Sequence, residues 1–143
     1  MICGIHHIAI ICSDYRKSKH FYHEILGLPI IREVYLEARK SFKLDLWVPG
    51  GIQIELFSFE NAPERPSYPE ALGLRHLAFK VQNLEKTIEA LKQFGYSCES
   101  IRVDPYTQKR FTFFCDPDQL PLELYEGVCT TEPDVFPVSK ADG

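Results

Sequence analysis

Nowhere in this sequence do two cysteines stand at C-x-x-C spacing, do about 20 apolar residues run together, or do Lys and Arg gather into a stripe. Each absence closes off a class. The five cysteines (Cys3, Cys12, Cys98, Cys115, Cys129) are odd in number, which argues against a disulfide framework or a structural zinc knuckle and for reduced thiols. Without a long apolar run, no membrane-spanning helix is expected. Lys and Arg total 16 against 20 Asp and Glu, a formal net charge of -4, so nucleic acid is not an expected partner. The start, Met1-Ile2-Cys3-Gly4-Ile5, has no basic stretch leading into an apolar one. No signal peptide is therefore expected, and a cytoplasmic location is. At 143 residues, 45% hydrophobic and 25% charged, the chain suits one compact domain or two half-size modules sharing a core.

What is present is a repeat. His7-Ile8-Ala9-Ile10-Ile11-Cys12-Ser13-Asp14 has its counterpart in His76-Leu77-Ala78-Phe79-Lys80-Val81-Gln82-Asn83. A helical pattern follows each copy: Phe21, Tyr22, Ile25 and Leu26 up to Gly27, and Leu84, Ile88, Leu91 and Phe94 up to Gly95. Asp14 and Asn83 suit helix N-caps, and each glycine supplies the positive φ common just past a helix end. The module ends also match, Ile52-Gln53-Ile54-Glu55-Leu56-Phe57 with Leu120-Pro121-Leu122-Glu123-Leu124-Tyr125. His-to-Glu separations agree to one residue (55 − 7 = 48 and 123 − 76 = 47).

Between helix and last strand each half holds two more strand-like stretches: Pro29 to Val34 and Lys43 to Val48, then Cys98 to Val103 and Arg110 to Cys115. The pattern is β-α-β-β-β, written twice. It predicts an α+β fold in which duplicated βαβββ modules form a cupped sheet. A single domain over residues 1–126 is expected, with module one at 5–58, a linker at 59–74 carrying three prolines, and module two at 75–126. The aperiodic tail, 127–143, is expected to be disordered.

Strand alternation puts His7 and Ala9 on one face of their strand and Gln53, Glu55 and Phe57 on one face of theirs; His76 and Glu123 repeat the arrangement. Ile54, Leu56, Leu122 and Leu124 are left to pack under the helices. A mid-strand Glu between aliphatic residues is costly to bury unless something pairs with it. Here the cost recurs, each time with a His at the matching position. Any one of these residues alone reads as a core or edge residue; the repetition is what points to a metal. Two imidazoles and two carboxylates suit one divalent ion such as Zn, Ni, Co or Mn. His6 alternates to the face opposite His7. His20 and His23, among Lys17, Lys19 and Glu24, read as a solvated helix face.

On these elements, together with Gly73-Leu74-Arg75-His76-Leu77-Ala78-Phe79 and Asp116-Pro117-Asp118, the sequence resembles the vicinal oxygen chelate superfamily, and within it short bacterial glyoxalase I-like proteins. The resemblance covers about Ile5 to Glu126. It implies a cupped sheet around one ion, a homodimer, and His7, Glu55, His76 and Glu123 as the ligands. Epimerases of the superfamily typically carry Gln where Glu55 stands, so Glu55 tilts the choice towards a lactoylglutathione lyase-like enzyme. That activity is proton transfer through a metal-chelated enediolate of an α-hydroxycarbonyl or glutathione hemithioacetal, with Glu123 carrying the proton. The alternatives are another enzyme of the superfamily, an epimerase or thiol transferase, or a non-catalytic module that binds a small molecule. Arg75, Lys109 and Arg110, beside strands of the site, are the cations expected to meet substrate. One departure is Gln119, where many members have Gly after Asp-Pro-Asp.

Overall fold

A computed structural model describes residues 1–129; the tail beyond them, including most of the stretch expected to be disordered, lies outside the described residues. Module one runs β1 (His7–Cys12), α1 (Tyr15–Lys19), a π-helical turn (His20–Ile25), β2 (Ile30–Leu36), β3 (Ser41–Val48) and β4 (Ile52–Ser58). Module two repeats it with β5 (Leu77–Val81), α2 (Leu84–Gln93), β6 (Arg102–Val103), β7 (Arg110–Cys115) and β8 (Pro121–Glu126). The strands form two four-stranded mixed sheets of matching order, β1-β4-β3-β2 and β5-β8-β7-β6. In each, the first strand of the module lies at one edge and pairs in parallel with the last. The fold is α+β and duplicated.

The caps fall where the sequence places them. Asp14 and Asn83 sit in extended backbone, and their side chains accept from the amides of Lys17 at 3.1 Å and Lys86 at 2.9 Å. Gly27 and Gly95 take φ of +74° and +88° past the helix ends. The first helix widens into a π turn, in which Leu26 N–H donates to Phe21 C=O five residues back at 2.9 Å. That wider turn carries both Phe21 and Tyr22 inward, and neither is exposed.

One core serves both modules. Leu44, Leu46, Ile54 and Leu56 from the first sheet and Leu122, Leu124 and Phe114 from the second bury their faces against the helices. The Phe21 ring meets those of Tyr96 and Phe114 across the module boundary. Tyr22 O–H donates to Asp116 at 2.7 Å, and Ser13 N–H donates to Asp118 at 3.0 Å. The stretch from Cys98, expected as a strand, is ladder-like only from Arg102. Before it, Glu99 alone meets β7, through its N–H to Phe113 C=O and its C=O to the Thr112 hydroxyl. Among the described residues no helix is long and apolar enough to cross a membrane.

Candidate metal centre

Aliphatic side chains at alternate positions of β4 and β8 commit one face of each sheet to the helices, so the residues between them face the other way. On that second face, rungs can be followed across strands. Ala9, Glu55, Asp45 and Arg32 stand side by side on four strands of the first sheet. Ala78, Glu123 and Phe113 form the corresponding rung of the second.

His7 opens β1 two residues before the Glu55 rung, and its Nε2 lies 3.4 Å from Glu55 Oε2. His76 immediately precedes β5, and its Nε2 lies 2.9 Å from Glu123 Oε2. Both carboxylates are largely shielded, with side-chain exposures of 12% and 11%; the imidazoles remain open, at 43% and 26%. Each pair thus presents a nitrogen and an oxygen donor at the surface of a sheet, and that donor chemistry fits a borderline divalent ion. The pairs do not meet. Among the described residues no three of the His, Cys, Asp and Glu side chains come together as a metal-holding group.

The surroundings of the two pairs differ. Around Glu123 they are aromatic: Phe113 shares its rung and stands edge-on to the His76 ring at 5.0 Å. Around Glu55 they are charged: Lys43 Nζ lies 3.3 Å from Glu55 Oε1 and 2.9 Å from Asp45 Oδ1, while Arg32 donates to Asp45 Oδ2. Burial alone would raise the pKa of Asp45, but Lys43 and Arg32 more than offset it and hold the carboxyl below its usual range. Lys43 is raised by the same contact with Asp45. Arg32 reads from sequence as a strand-edge or surface cation, and nothing local singles out Lys43 or Asp45. The signal available was their parity, since Lys43 and Asp45 alternate onto the face of Glu55.

Of the three cations expected to meet substrate, Arg75 lies nearest. It lines a cavity of about 850 Å³ that also touches His76, Phe113, Arg65, Tyr68 and Arg102, and it pairs with Glu70 at 2.8 Å. Lys109 sits in the exposed turn before β7, its N–H directed to the Thr107 hydroxyl. Arg110 lies elsewhere. It alternates with Phe111 and Phe113 onto the helix side of β7, where Glu85 of α2 and Glu126 hold its guanidinium, away from Glu123. His6 also departs from expectation. It directly precedes β1, its C=O accepting from Gln53 N–H of β4 at 3.1 Å, and its Nδ1 meets His7 Nδ1 at 2.9 Å. His20 and His23 take separate partners, Glu24 at 2.7 Å and the Leu28 carbonyl at 2.8 Å, as side chains outside any site.

Gln119, the departure from Asp-Pro-Asp-Gly, adopts φ +65°. The turn into β8 therefore keeps the left-handed residue that Gly would supply, and Glu123 keeps its place.

Residues 4–124 match the model of the Glyoxalase/Bleomycin resistance protein/Dioxygenase superfamily. The chain is 62% identical over 122 residues to the uncharacterized protein YaeR of Escherichia coli (strain K12), covering 85% of this chain and 95% of that protein. To the uncharacterized protein YwkD of Bacillus subtilis (strain 168) it is 60% identical over 126 residues, 88% of this chain and 98% of that one. The crystal structure of the glyoxalase family protein from Enterococcus faecalis superposes with a TM-score of 0.79 at 50% identity, over 86% of this chain and 97% of that chain. A more distant relative is the fosfomycin resistance protein FosX of Listeria innocua, 27% identical over 132 residues, 89% of this chain and 92% of that protein. Another is the metallothiol transferase FosB of Staphylococcus saprophyticus, 27% identical over 145 residues, 98% of this chain and 87% of that protein.

Proposed function

The chain belongs to the glyoxalase/bleomycin resistance protein/dioxygenase superfamily, and we propose that it is a metal-dependent lyase or isomerase of the glyoxalase I type. The observation that carries this reading is the pair of matched His–Glu couples, His7 with Glu55 and His76 with Glu123, on equivalent faces of duplicated sheets. Metalloenzymes among the relatives support it. Because the two couples stand apart within one chain, four donors converge on one ion when a second copy supplies the other couple. Ile11, Val34 and Trp47, exposed on the face of His7 and Glu55, are the apolar surface such a homodimer would cover.

When bound, a divalent ion (Zn, Ni, Co or Mn) would supply Lewis-acid stabilisation of negative charge on two adjacent substrate oxygens. The remaining work belongs to the side chains. Glu123, on the rung of Phe113 and paired with His76, is placed to take a proton from one substrate carbon and return it to the next. Glu55, 3.3 Å from Lys43, serves as a ligand.

The substrate class proposed is an α-hydroxycarbonyl compound or a glutathione hemithioacetal. A second reading, a thiol transferase on a small molecule, draws on the relationship to FosB. Purified protein loaded separately with Ni, Zn, Co and Mn, assayed with methylglyoxal plus glutathione, tests the first. Turnover abolished by Glu123→Gln supports it. Metal retained without turnover of this pair removes the glyoxalase reaction and leaves the second reading; no metal retained removes both.

A further inference from the structure

The charges around Glu55 have no part in the proton transfer proposed for Glu123, and the duplication does not explain them. Where Asp45 shares the Glu55 rung, Phe113 shares that of Glu123; where Lys43 lies opposite Phe57, Phe111 lies opposite Tyr125. His and Glu are thus common to both modules, while Lys43, Asp45 and Arg32 mark only one end of the site.

Their arrangement separates two tasks. Asp45, 1% exposed, receives both Arg32 Nε at 3.2 Å and Nη2 at 3.0 Å on a single oxygen, Oδ2. Its other oxygen, Oδ1, faces Lys43 Nζ at 2.9 Å. Arg32 is therefore committed to Asp45, whereas Lys43 is shared with Glu55 and remains a quarter exposed on the site face, its Nζ 5.9 Å from the centre of the Phe57 ring. As the cluster stands, two cations face two carboxylates. A divalent ion taking Glu55 and one further Glu would be neutralised by them. Lys43 and Arg32 would then face Asp45 alone, with one positive charge in excess beside the ion. A partly buried excess charge favours an occupant of opposite sign.

We propose that Lys43, steadied by Asp45 and Arg32, is the anion-receiving residue of this site, and that the substrate carries a carboxylate or phosphonate next to its chelating oxygens. The proposal rests on the metal reading above and narrows its substrate class. Lys43 is a specificity residue in this scheme, one that contacts substrate without moving its proton. Asp45 and Arg32 are positioning residues that keep the ammonium aimed at the site.

Three small probes share a hydroxymethyl group and differ in charge: glycolate, hydroxymethylphosphonate and the neutral glycolamide. Mn(II)-loaded full-length protein is titrated with each by calorimetry at fixed ionic strength, in the wild type and the variants Lys43→Gln and Lys43→Arg, with metal content measured on every sample. Losing the ammonium should weaken the preferred anion roughly tenfold or more, the scale of one nearby charge in a partly shielded site, and leave glycolamide unchanged. Lys43→Arg should restore most of the loss, and Mn(II) content should hold throughout, since removing Lys43 frees Glu55 for the ion. The anion with the larger dependence on Lys43 identifies the group the substrate carries. Equal weakening of charged and neutral probes, or none, overturns the role of Lys43 while the metal reading stands. A wild type that retains no Mn(II) overturns both. Should the glutamine variant lose its metal, Lys43→Met, which keeps an apolar stem against Phe57, takes its place in the comparison.

Discussion

Replacing Tyr22 by Phe should cost about 2 kcal/mol of folding stability at neutral pH, and the cost should shrink in acid. Tyr22 is fully buried, and its hydroxyl donates to Asp116 Oδ2 at 2.7 Å. The other carboxylate oxygen, Oδ1, already accepts from the amides of Asp118 at 2.8 Å and Leu120 at 2.9 Å. Phe fills nearly the same volume, so almost no cavity term arises; what is lost is a bond to a buried carboxylate, worth about 1.5–3 kcal/mol. For a domain of this size that is a drop in melting temperature of roughly 8 °C. Burial raises the pKa of Asp116 above its ordinary 3.8, and the Tyr22 hydroxyl partly opposes the rise. Removing that hydroxyl raises it further. A carboxyl whose folded pKa is raised binds its proton more tightly when folded, so its contribution to stability is present below the unfolded pKa and lost as pH rises through the folded one. The variant should therefore fall behind the wild type increasingly as pH rises above the ordinary carboxyl range. Chemical denaturation from that range upward, followed by Trp47 fluorescence, measures it. A deficit below about 0.5 kcal/mol at pH 7, or one that grows as pH falls, would refute the reasoning, since a charged acceptor left alone cannot produce either.

Gln119→Gly should stabilise the protein by about 1 kcal/mol in the same assay, because Gln119 holds φ +65° and Gly removes that cost. Glu123→Gln should lower turnover about 100-fold or more while the remaining donors still retain the ion, checked by steady-state kinetics beside elemental analysis. Arg110→Ala should leave turnover unchanged, since its partners Glu85 and Glu126 lie on the helix side of the sheet. Asn83→Ala should cost about 1 kcal/mol by removing the bond to the Lys86 amide at the start of α2.

Much of this architecture is legible in the chain because the duplication prints each signal twice. Asp14 and Asn83, Gly27 and Gly95, and the aliphatic alternation in β4 and β8 fix helix ends and buried faces from local chemistry alone. The His–Glu couples follow from parity within strands, which holds regardless of how sheets are arranged. What was hidden depends on neighbours distant in sequence. Arg110 looks free until α2 brings Glu85 beside it. His6 looks averted until its ring proves to turn back to meet that of His7. The π turn that buries Phe21 and Tyr22 together has no helical-wheel signature, and the aromatic or charged setting of each Glu comes from β3 and β7, strands whose pairing no local pattern specifies.

The central claim is that His7 and Glu55 of one copy meet His76 and Glu123 of another around one ion. Metal content after mixing two inactive variants tests it most directly. One variant carries His7→Ala and Glu55→Gln, the other His76→Ala and Glu123→Gln, and the two are unfolded, mixed and refolded together. A site shared between copies predicts that neither variant alone holds tight metal while each mixed dimer regains one intact site and one ion. Mixtures that recover no more metal than the separate variants would contradict the account.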